Sequence, residues 1–282
     1  MIQQIVQTWK TNDLSDAPPL FTISKESWQF QNPSWKYRFF SDEQIAKYVS
    51  DRLPHFYQRT FIQYEAQIQR VDIFRLVFMF FDGGLYSDLD AEAINPFEKC
   101  GKGMDGIILG TLANKASSQY IPNAFLYSGT RHAQFWLYCL ALAVKRFFQS
   151  KGFDGAEFLT GPQLLTSAYI EFEKETPAQK SSFIRQWLGK NDALPEAQPS
   201  MISLLPAHLI YPIDWTTESS EQLQVYLRMR LEQGAIPPQA VAECTICINY
   251  WTHSWEIPDR GVLHSIRSKW KWILKQFQSC NQ

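Results

Sequence analysis

The feature that most constrains the fold is an apolar helical pattern that leads through two glycines into an alternating segment. In residues 62–81, apolar side chains recur at spacings of three and four, which predicts a helix. A Gly-Gly pair follows at 83–84, where a helix commonly ends in a left-handed residue. Residues 85–90 then alternate, which predicts a strand with Asp88 and Asp90 on one face. This order of elements indicates an α/β core.

The rest of the chain predicts further short strands and helices. Strands are predicted at 2–8, 35–40, 85–90, 106–111, 124–127 and 245–250, and a strong helix is predicted at 133–148. The chain should open as strand, loop, strand and helix, with Ser41 as the N-cap. Thr160 is predicted to cap a helix with Pro162 in its first turn. Residues 174–200 are polar and contain prolines, which predicts a surface insertion.

Charge and hydropathy exclude several classes of protein. The net charge is -1, from 27 Lys and Arg against 28 Asp and Glu, so we expect no nucleic acid partner. No apolar run reaches the roughly 18 residues that a membrane-spanning helix needs, so we expect none. The 282 residues can bury a substantial core, and a single domain with helical additions is expected.

The five cysteines are an odd number and are scattered, and the chain shows no secretory leader at its start. We therefore expect reduced thiols and a cytoplasmic protein. Cys244 and Cys247 form a C-x-x-C, but no second pair follows at zinc-finger spacing. Structural thiols are the favoured interpretation, and metal or redox use is the alternative.

The chemistry that the sequence suggests centres on Asp88 and Asp90. Mg²⁺ and Mn²⁺ prefer oxygen ligands and bind through one or two carboxylates together with substrate phosphates. A lone Asp-x-Asp occurs by chance about once in a chain of this size, and a solvated strand end is the alternative. Asp72 and Arg75 lie three apart on the preceding apolar helix, and charges on a buried face cost free energy unless they are paired or used.

These motifs carry a family resemblance. The sequences of residues 70–75 (RVDIFR) and 83–90 (GGLYSDLD) resemble the sugar-binding region of glycosyltransferase family 32. The opening strand with its Trp-Lys, the Asn-Pro before the second strand, the Thr-Gly-Pro at 160–162 and the Ser-Trp at 254–255 are similar to further landmarks of that family. The resemblance implies a GT-A fold, which is a Rossmann-like sheet with the metal motif at a strand end. It also implies a retaining, metal-dependent hexosyltransferase.

The resemblance implies roles for individual residues. Trp9 would stack on or near the nucleotide base, although a core aromatic is the alternative. Asp72 and Arg75 would hold the donor sugar and its phosphate, and Tyr86 would line the same pocket. The Asp-x-Asp pair would hold Mn²⁺ or Mg²⁺ with the diphosphate. Asp72, Arg75 and that pair are the candidate catalytic residues.

Near its C-terminus the chain departs from the family. Where the family has a histidine pair before an aromatic residue and Ser-Trp, this chain places Asn249 at the first histidine position. Asn249 is our candidate third metal ligand, because its amide oxygen is a hard ligand. His253 is the second candidate, with an ordinary loop histidine as the alternative. Ser254 and Trp255 are candidate donor-binding residues.

The predicted organisation is a catalytic domain over 1–265 and a basic amphipathic helix over 266–282. The nucleotide-sugar site should lie mainly within 1–130, and the acceptor side and the C-terminal metal or phosphate loop within 131–265. The terminal helix either docks its apolar face on the domain or lies at an anionic lipid surface. The second interpretation places a bacterial-type enzyme at the inner face of the membrane.

The expected function is transfer of a hexose from a UDP or GDP sugar to a glycan or lipid-linked glycan in capsule or lipopolysaccharide synthesis. UDP-hexose is the favoured donor and GDP-mannose the second. One alternative is a toxin-like transferase that modifies a protein. The other is a catalytically silent protein that binds a nucleotide sugar.

Overall fold

The fold is taken from a computed structural model, which describes residues 1–100, 106–112, 120–150, 154–189, 191–214, 218–237 and 242–252. Among these residues there are eight strands. They are β1 Gln4–Thr8, β2 Lys36–Phe40, β3 Gly84–Ser87, β4 Ala91–Ala93, β5 Ile107–Gly110, β6 Phe125–Ser128, β7 Ile202–Leu205 and β8 Cys247–Asn249.

Six of the strands form one mixed sheet in the order β2-β1-β3-β6-β5-β7. Strand β6 is antiparallel to both of its neighbours, and the other pairings in the sheet are parallel. Strands β4 and β8 form a separate antiparallel pair. A largely parallel sheet needs helical connections, and the helices accordingly alternate with the strands along the chain. The predicted α/β class with a Rossmann-like sheet, as expected of a GT-A fold, is confirmed.

Eleven helices are found in the same part of the chain. They are α1 Pro19–Gln31, α2 Asp42–Arg52, α3 Pro54–Arg59, α4 Gln67–Phe81, α5 Phe97–Cys100, α6 Gln134–Ser150, α7 Ala156–Leu159, α8 Pro162–Lys174, α9 Pro177–Leu188, α10 Ala207–Ile210 and α11 Ser220–Gln233. A 3₁₀ turn at Phe61–Gln63 precedes α4. None of the helices in the described residues is long and apolar enough to cross a bilayer.

Successive residues of the central strands enter two different cores, because side chains alternate across a sheet. On one face, Val6, Tyr86 and Leu126 pack with α2, α4, α6, α8 and α9. On the other face, Ile5 and Leu85 pack with α1, α5, α10 and β8. The strand that precedes the Asp-x-Asp pair is therefore buried on both sides, and its end is held in a rigid frame.

A third, smaller core lies under the Asp-x-Asp turn. Leu89, between the two aspartates, is 4% exposed and packs with Phe21 of α1, Tyr226 of α11, and Ile248 and Tyr250 at β8. Burial of this leucine stabilises the turn by about 1.5–3 kcal/mol relative to leaving it exposed. The Asp-Leu-Asp alternation therefore belongs to a turn, and the burial of its middle residue, Leu89, anchors that turn.

Several local predictions are confirmed. Ser41 caps α2 in a capping box with Gln44. Gly83 and Gly84 have φ angles of 67° and 87°, as expected where α4 passes into β3. A Cβ atom on Gly84 would lie 2.7 Å from the carbonyl oxygen of Gln4, so both the conformation and the close approach of β1 require glycine.

Other local predictions are wrong. The predicted strand over 85–90 ends at Ser87, so both aspartates lie in a turn and not on a strand face. The helix predicted over 62–81 begins only at Gln67. The opening is strand, helix, strand and helix, because α1 occupies the segment after Pro18 that looked like a loop.

The segment 174–200 is also more ordered than its composition indicates. It contains α9, which begins with a capping box between Thr176 and Gln179 and packs on α6. Buried Ile184 and Leu188 fix that contact, so two apolar residues outweigh the polar surroundings. Thr160 is not the N-cap of α8 either, since Gly161 holds that position and the Thr160 hydroxyl is used elsewhere.

Three of the cysteines, Cys139, Cys244 and Cys247, are free thiols. Cys139 and Cys247 are buried, and Cys244 is exposed. Burial raises the pKa of both buried thiols, which disfavours the thiolate that metal binding and redox chemistry need. The Cys247 thiol donates to the carbonyl of Ile210 at 3.5 Å. These observations favour the structural interpretation of the C-x-x-C.

Candidate active site

Arg75 is the centre of the candidate site. It lies on α4, is 4% exposed, and is held 2.9 Å (Nη2) from Oδ1 of Asp88. Its Nη1 donates to the carbonyl of Asn123 at 2.8 Å and lies 3.7 Å from Oδ1 of Asp72. The guanidinium also stacks 4.5 Å from the centre of the Tyr86 ring. One buried cation thus joins helix α4 to the aspartate turn.

The buried position of Arg75 is stabilised by its neighbours. Burial alone would lower its pKa, but Asp88, Tyr86 and Asp72 together raise it, so the side chain stays charged. Its Nε is buried and has no hydrogen-bond partner among the described residues. A buried donor of this kind costs about 1–3 kcal/mol unless a ligand or water satisfies it.

Asp72 is fully enclosed one turn before Arg75. Its Oδ1 accepts from Nδ2 of Asn123 at 2.8 Å, and its Oδ2 accepts from the hydroxyl of Thr160 at 3.0 Å. Burial raises the pKa of this carboxyl, and Arg75 opposes the shift. Both carboxylate oxygens are therefore occupied by protein groups.

One carboxylate oxygen of Asp88 is bound by protein groups, and the other accepts no hydrogen bond from the described residues. Its Oδ1 accepts from the Tyr86 hydroxyl at 2.7 Å and pairs with Arg75, and Tyr86 in turn contacts the Thr8 hydroxyl at 3.2 Å. No described residue donates to Oδ2, and the side chain is 28% exposed. Burial, with a smaller contribution from the nearby Asp90, raises the pKa of Asp88 to about 6 against the lowering effect of Arg75.

The backbone of the aspartate turn is also fixed. The Asp88 amide donates to the carbonyl of Ala124 at 2.9 Å, and the Ala91 amide donates to the carbonyl of Asp88 at 3.1 Å. That carbonyl also accepts from Nε2 of Gln7 at 3.2 Å. Strands β1 and β6 thereby hold the turn at the end of β3.

Asp90 is held by residues near the end of the described part of the chain. Its Oδ2 accepts from the Thr252 amide at 2.8 Å and from the Thr252 hydroxyl at 3.0 Å. Its carbonyl accepts from the Tyr250 amide at 2.9 Å. No described residue donates to Oδ1 of Asp90. Each aspartate of the pair thus keeps one oxygen that the described residues leave open.

The donor set suits a hard divalent cation. Three carboxylates (Asp72, Asp88 and Asp90) and one guanidinium (Arg75) give a local formal charge of -2 when all are ionised. Mg²⁺ or Mn²⁺ would offset that charge and accept oxygen ligands from Asp88 and Asp90. Within the described ranges, no group of three His, Cys, Asp or Glu side chains is placed to hold an ion. The remaining ligands would be substrate phosphates and water, as is usual for Mg²⁺.

The structure places the other predicted residues as follows. Trp9 follows β1, is half-buried, and packs edge-on against Phe21 with ring centres 4.8 Å apart. Asn249 ends β8, is 1% exposed, and accepts the Trp251 amide through Oδ1 at 2.8 Å. His253, Ser254 and Trp255 lie outside the described residues, as does the helix predicted over 266–277. The roles given to these residues remain predictions.

Sequence reasoning missed three residues of this network. The sequence predicts Thr160 only as a helix cap within a Thr-Gly-Pro landmark. It predicts no role for Asn123 or Thr252, because single polar residues in loops show no periodicity. Their roles depend on contacts over 51 and 162 positions of sequence separation. Only the folded chain brings them to the aspartates.

Comparison with protein families supports the resemblance. Residues 18–106 match the model of the family described as a glycosyltransferase sugar-binding region containing a DXD motif. The matched segment runs from α1 to the start of β5 and includes Asp72, Arg75, Asp88 and Asp90. The match supports the suspected family over this segment, which is about a third of the chain.

Similar proteins are fungal. A mannosyl phosphorylinositol ceramide synthase of Saccharomyces cerevisiae is 27% identical over 184 residues, which are 62% of this chain and 43% of that protein. An inositol phosphoceramide mannosyltransferase of Schizosaccharomyces pombe is 30% identical over 86 residues, 30% of this chain and 23% of that protein. An initiation-specific alpha-1,6-mannosyltransferase of Candida albicans is 26% identical over 101 residues, 34% and 26% respectively. Each match spans less than half of the relative.

Two solved structures are similar at low scores. The PaToxG glycosyltransferase has a TM-score of 0.44 and 19% identity over 69% of this chain and 81% of that chain. A galactosyltransferase, LgtC, in complex with donor and acceptor sugar analogues, has a TM-score of 0.36 and 9% identity over 96% and 95%. The family assignment therefore rests on the sequence matches.

Proposed function

We propose that this chain is a glycosyltransferase with a DXD sugar-binding region, and that it transfers a hexose from a nucleoside diphosphate sugar to a hydroxyl acceptor in a metal-dependent reaction. The observation that carries the proposal is the buried Arg75, which pairs with Asp88 and leaves one oxygen of that aspartate open. A purely structural ion pair would not need a second carboxylate, Asp90, fixed beside it with one oxygen open as well.

The relatives favour a mannosyl donor. The three fungal proteins carry mannosyltransferase or mannosyl names, so GDP-mannose becomes the first donor to test, ahead of the UDP-hexose that the sequence alone favoured. The part of the chain that these relatives match includes the aspartate turn. That this protein uses the same substrates is a hypothesis, because the matches cover less than half of each relative.

The reaction breaks the bond between the anomeric carbon and the diphosphate oxygen and forms a bond to the acceptor oxygen. Negative charge grows on the departing diphosphate, and the acceptor hydroxyl loses its proton. Asp88 and Asp90 would hold a divalent cation, which would supply positive charge against the departing diphosphate. Arg75 orients Asp88 through Nη2 and favours its ionised form. Preorganised electrostatics of this kind is usually the largest catalytic contribution.

We infer retention of anomeric configuration from the family, and we assign no protein base. The carboxylate of Asp72 is enclosed by Asn123 and Thr160, so it is not available to take a proton from an acceptor. The departing phosphate itself is the group that would take that proton. This assignment leaves Asp72 with an electrostatic and positioning role.

The proposed acceptor is a hydroxyl on a glycan or a lipid-linked glycan in surface polysaccharide synthesis. Two of the fungal relatives are named for inositol phosphoceramide or its mannosyl product, which is consistent with an acceptor at a membrane. Lys269, Lys271 and Lys275 in the predicted C-terminal helix would draw the enzyme to anionic lipid. A cytoplasmic location at the inner membrane face belongs to this proposal.

The test is a panel of nucleotide sugars with detection of the released nucleotide. GDP-mannose, UDP-glucose and UDP-galactose are compared, each with Mn²⁺, Mg²⁺ or EDTA. We expect release from one donor, only with a metal ion, and loss of at least about 100-fold in Asp88→Ala and Asp90→Ala, which is the scale of removing a catalytic electrostatic group. Undiminished turnover in both variants would refute the proposal, and nucleotide binding without release would identify a silent binding protein.

A further inference from the structure

The carboxylate of Asp90 is oriented by a single residue, Thr252. The amide and the hydroxyl of Thr252 both donate to Oδ2, at 2.8 Å and 3.0 Å. Hydrogen bonds to a charged acceptor are stronger and shorter than those between neutral groups. Two such bonds to one oxygen fix the carboxylate plane and direct the other oxygen away from Thr252.

The position of Thr252 depends on a tight turn after β8. Oδ1 of Asn249 accepts the Trp251 amide at 2.8 Å, and Trp251 has a φ of 50°. A bulky residue in the left-handed region is uncommon and strained, so the surroundings must hold it there. The indole Nε1 donates to the carbonyl of Ile213 at 2.7 Å, and the ring lies 5.3 Å from that of Tyr211.

We propose that Thr252 is a positioning residue that orients Asp90 for the metal ion, and that Asn249 acts by forming the turn and not as a metal ligand. The inference rests on the proposed metal-dependent function. It replaces the role predicted for Asn249, whose Oδ1 is already engaged and whose side chain is 1% exposed. Residues that orient metal ligands commonly change metal affinity 10–100-fold when altered.

The same geometry explains how two distant parts of the chain form one site. Asn249 lies opposite Ala91 in the β4–β8 ladder, and the Tyr250 amide donates to the carbonyl of Asp90. The ladder therefore sets the register between the aspartate turn and Thr252. A change in Asn249 would act on Asp90 only through Trp251 and Thr252, so its effect should not add to that of Thr252.

The experiment measures Mn²⁺ affinity directly, by electron paramagnetic resonance of the free ion, with Mn²⁺ alone and with Mn²⁺ and GDP. We expect Thr252→Val to weaken binding about tenfold and Thr252→Ser, which keeps the hydroxyl, to bind within about twofold of the wild type. Asn249→Ala should weaken binding to a similar extent, and the double variant should be no weaker than the weaker single one. Thr11→Val, whose hydroxyl serves an exposed turn, is the matched control.

The outcomes separate this inference from the function on which it rests. Absence of Mn²⁺ binding by the wild type, with and without GDP, overturns both. Binding that is lost in Asp88→Ala but unchanged in Thr252→Val overturns only the role of Thr252. Multiplied effects in the double variant overturn the turn-forming role of Asn249 and restore it as a ligand. If Asn249→Ala does not fold, the comparison of Thr252→Val with Thr252→Ser still decides the positioning role.

Discussion

The two aspartates of the site are supported in opposite ways. Asp88 is held by Arg75 and Tyr86, which lie within 13 positions of it in sequence and are almost fully buried. Asp90 is held by Thr252, which lies 162 positions away at the end of the described chain. The residues that hold Asp88 belong to the buried core. The residue that holds Asp90 belongs to a hydrogen-bonded turn that is distant in sequence and lies beside the aspartate only in the folded chain. The difference teaches that one short motif can take its support from the buried core on one side and from a sequence-distant turn on the other.

The family match follows the same division. Residues 18–106 include Arg75 and Tyr86, the side chains that contact the Asp88 carboxylate, but none of the residues that hold Asp90. Glu92, directly after the turn, is 3% exposed, and it pairs with Arg230 and accepts the Tyr250 hydroxyl. The Asp90 side is therefore tied to α11 and β8, where the sequence offers no comparable motif.

The largest expected effect is on the Asp88 side. Arg75→Leu would leave Asp72 and Asp88 without their cation, and breaking a buried pair by removing one partner costs about 3–5 kcal/mol. We expect the free energy of unfolding to fall by roughly that amount in urea titrations, with nucleotide release lost as well. Thr252→Val should change the free energy of unfolding by less than about 1.5 kcal/mol, because it removes one half-exposed hydrogen bond. Equal losses in the two variants would contradict the contrast between a core support and a turn.

The contrast also explains what the sequence could predict. Helical and alternating patterns around the glycine pair identified α4 and β3. Both elements bury apolar faces, and this burial appears in the sequence as a periodic apolar pattern. The predicted position of the two carboxylates on a strand face was wrong. Asp88, Leu89 and Asp90 alternate in polarity as a strand would, but the structure places them in a turn that buries Leu89. Helix α1 was missed because its start, Pro18 and Pro19, looks like a turn, although proline is also favoured in a first helical turn.

Apart from the Asp-x-Asp pair and Tyr86, residues of the site were predictable only where charge appeared on an apolar face. Asp72 and Arg75 stood out for that reason, and the structure joins them to Asp88. Asn123 and Thr160 carry no charge and lie in loops, so nothing local distinguishes them from surface residues. Their importance comes from the burial of Asp72, which needs a donor for each oxygen. Such residues follow from the fold and cannot be deduced before it.

A second, smaller effect tests how firmly the Asp88 side is packed. Thr160→Val removes the donor to Oδ2 of Asp72 while keeping the shape of the side chain, so a buried carboxylate oxygen is left unsatisfied. We expect a loss of about 1–3 kcal/mol in the free energy of unfolding. Thr60→Val is the matched control, because Thr60 is fully buried and its hydroxyl has no hydrogen-bond partner among the described residues. That control should be neutral or stabilising, and a loss equal to that of Thr160→Val would show that the hydroxyl of Thr160 has no special role.

The smallest expected effect concerns the ionisation of Asp88 in the metal-free protein. Its pKa is raised from 3.8 to about 6, so the unfolded chain binds the proton less tightly than the folded one between these values. Ionisation of Asp88 therefore opposes folding, and its unfavourable contribution grows as the pH rises through this window and becomes constant above about pH 6. Asp88→Asn cannot ionise, so it should gain about 1 kcal/mol of stability relative to the wild type when the pH is raised from 5 to 7.

The measurement is urea denaturation of both proteins in EDTA at pH 5, 6 and 7, since bound metal would itself favour the ionised carboxylate. Only the change in the difference between the two proteins with pH is attributed to Asp88, because Asp88→Asn also loses the pairing with Arg75 at every pH. A difference that does not vary over this range would mean that Arg75 fully offsets the burial of Asp88. In that case the Asp88 side would be a satisfied ion pair that needs no cation, and the contrast with Asp90 would rest on geometry alone.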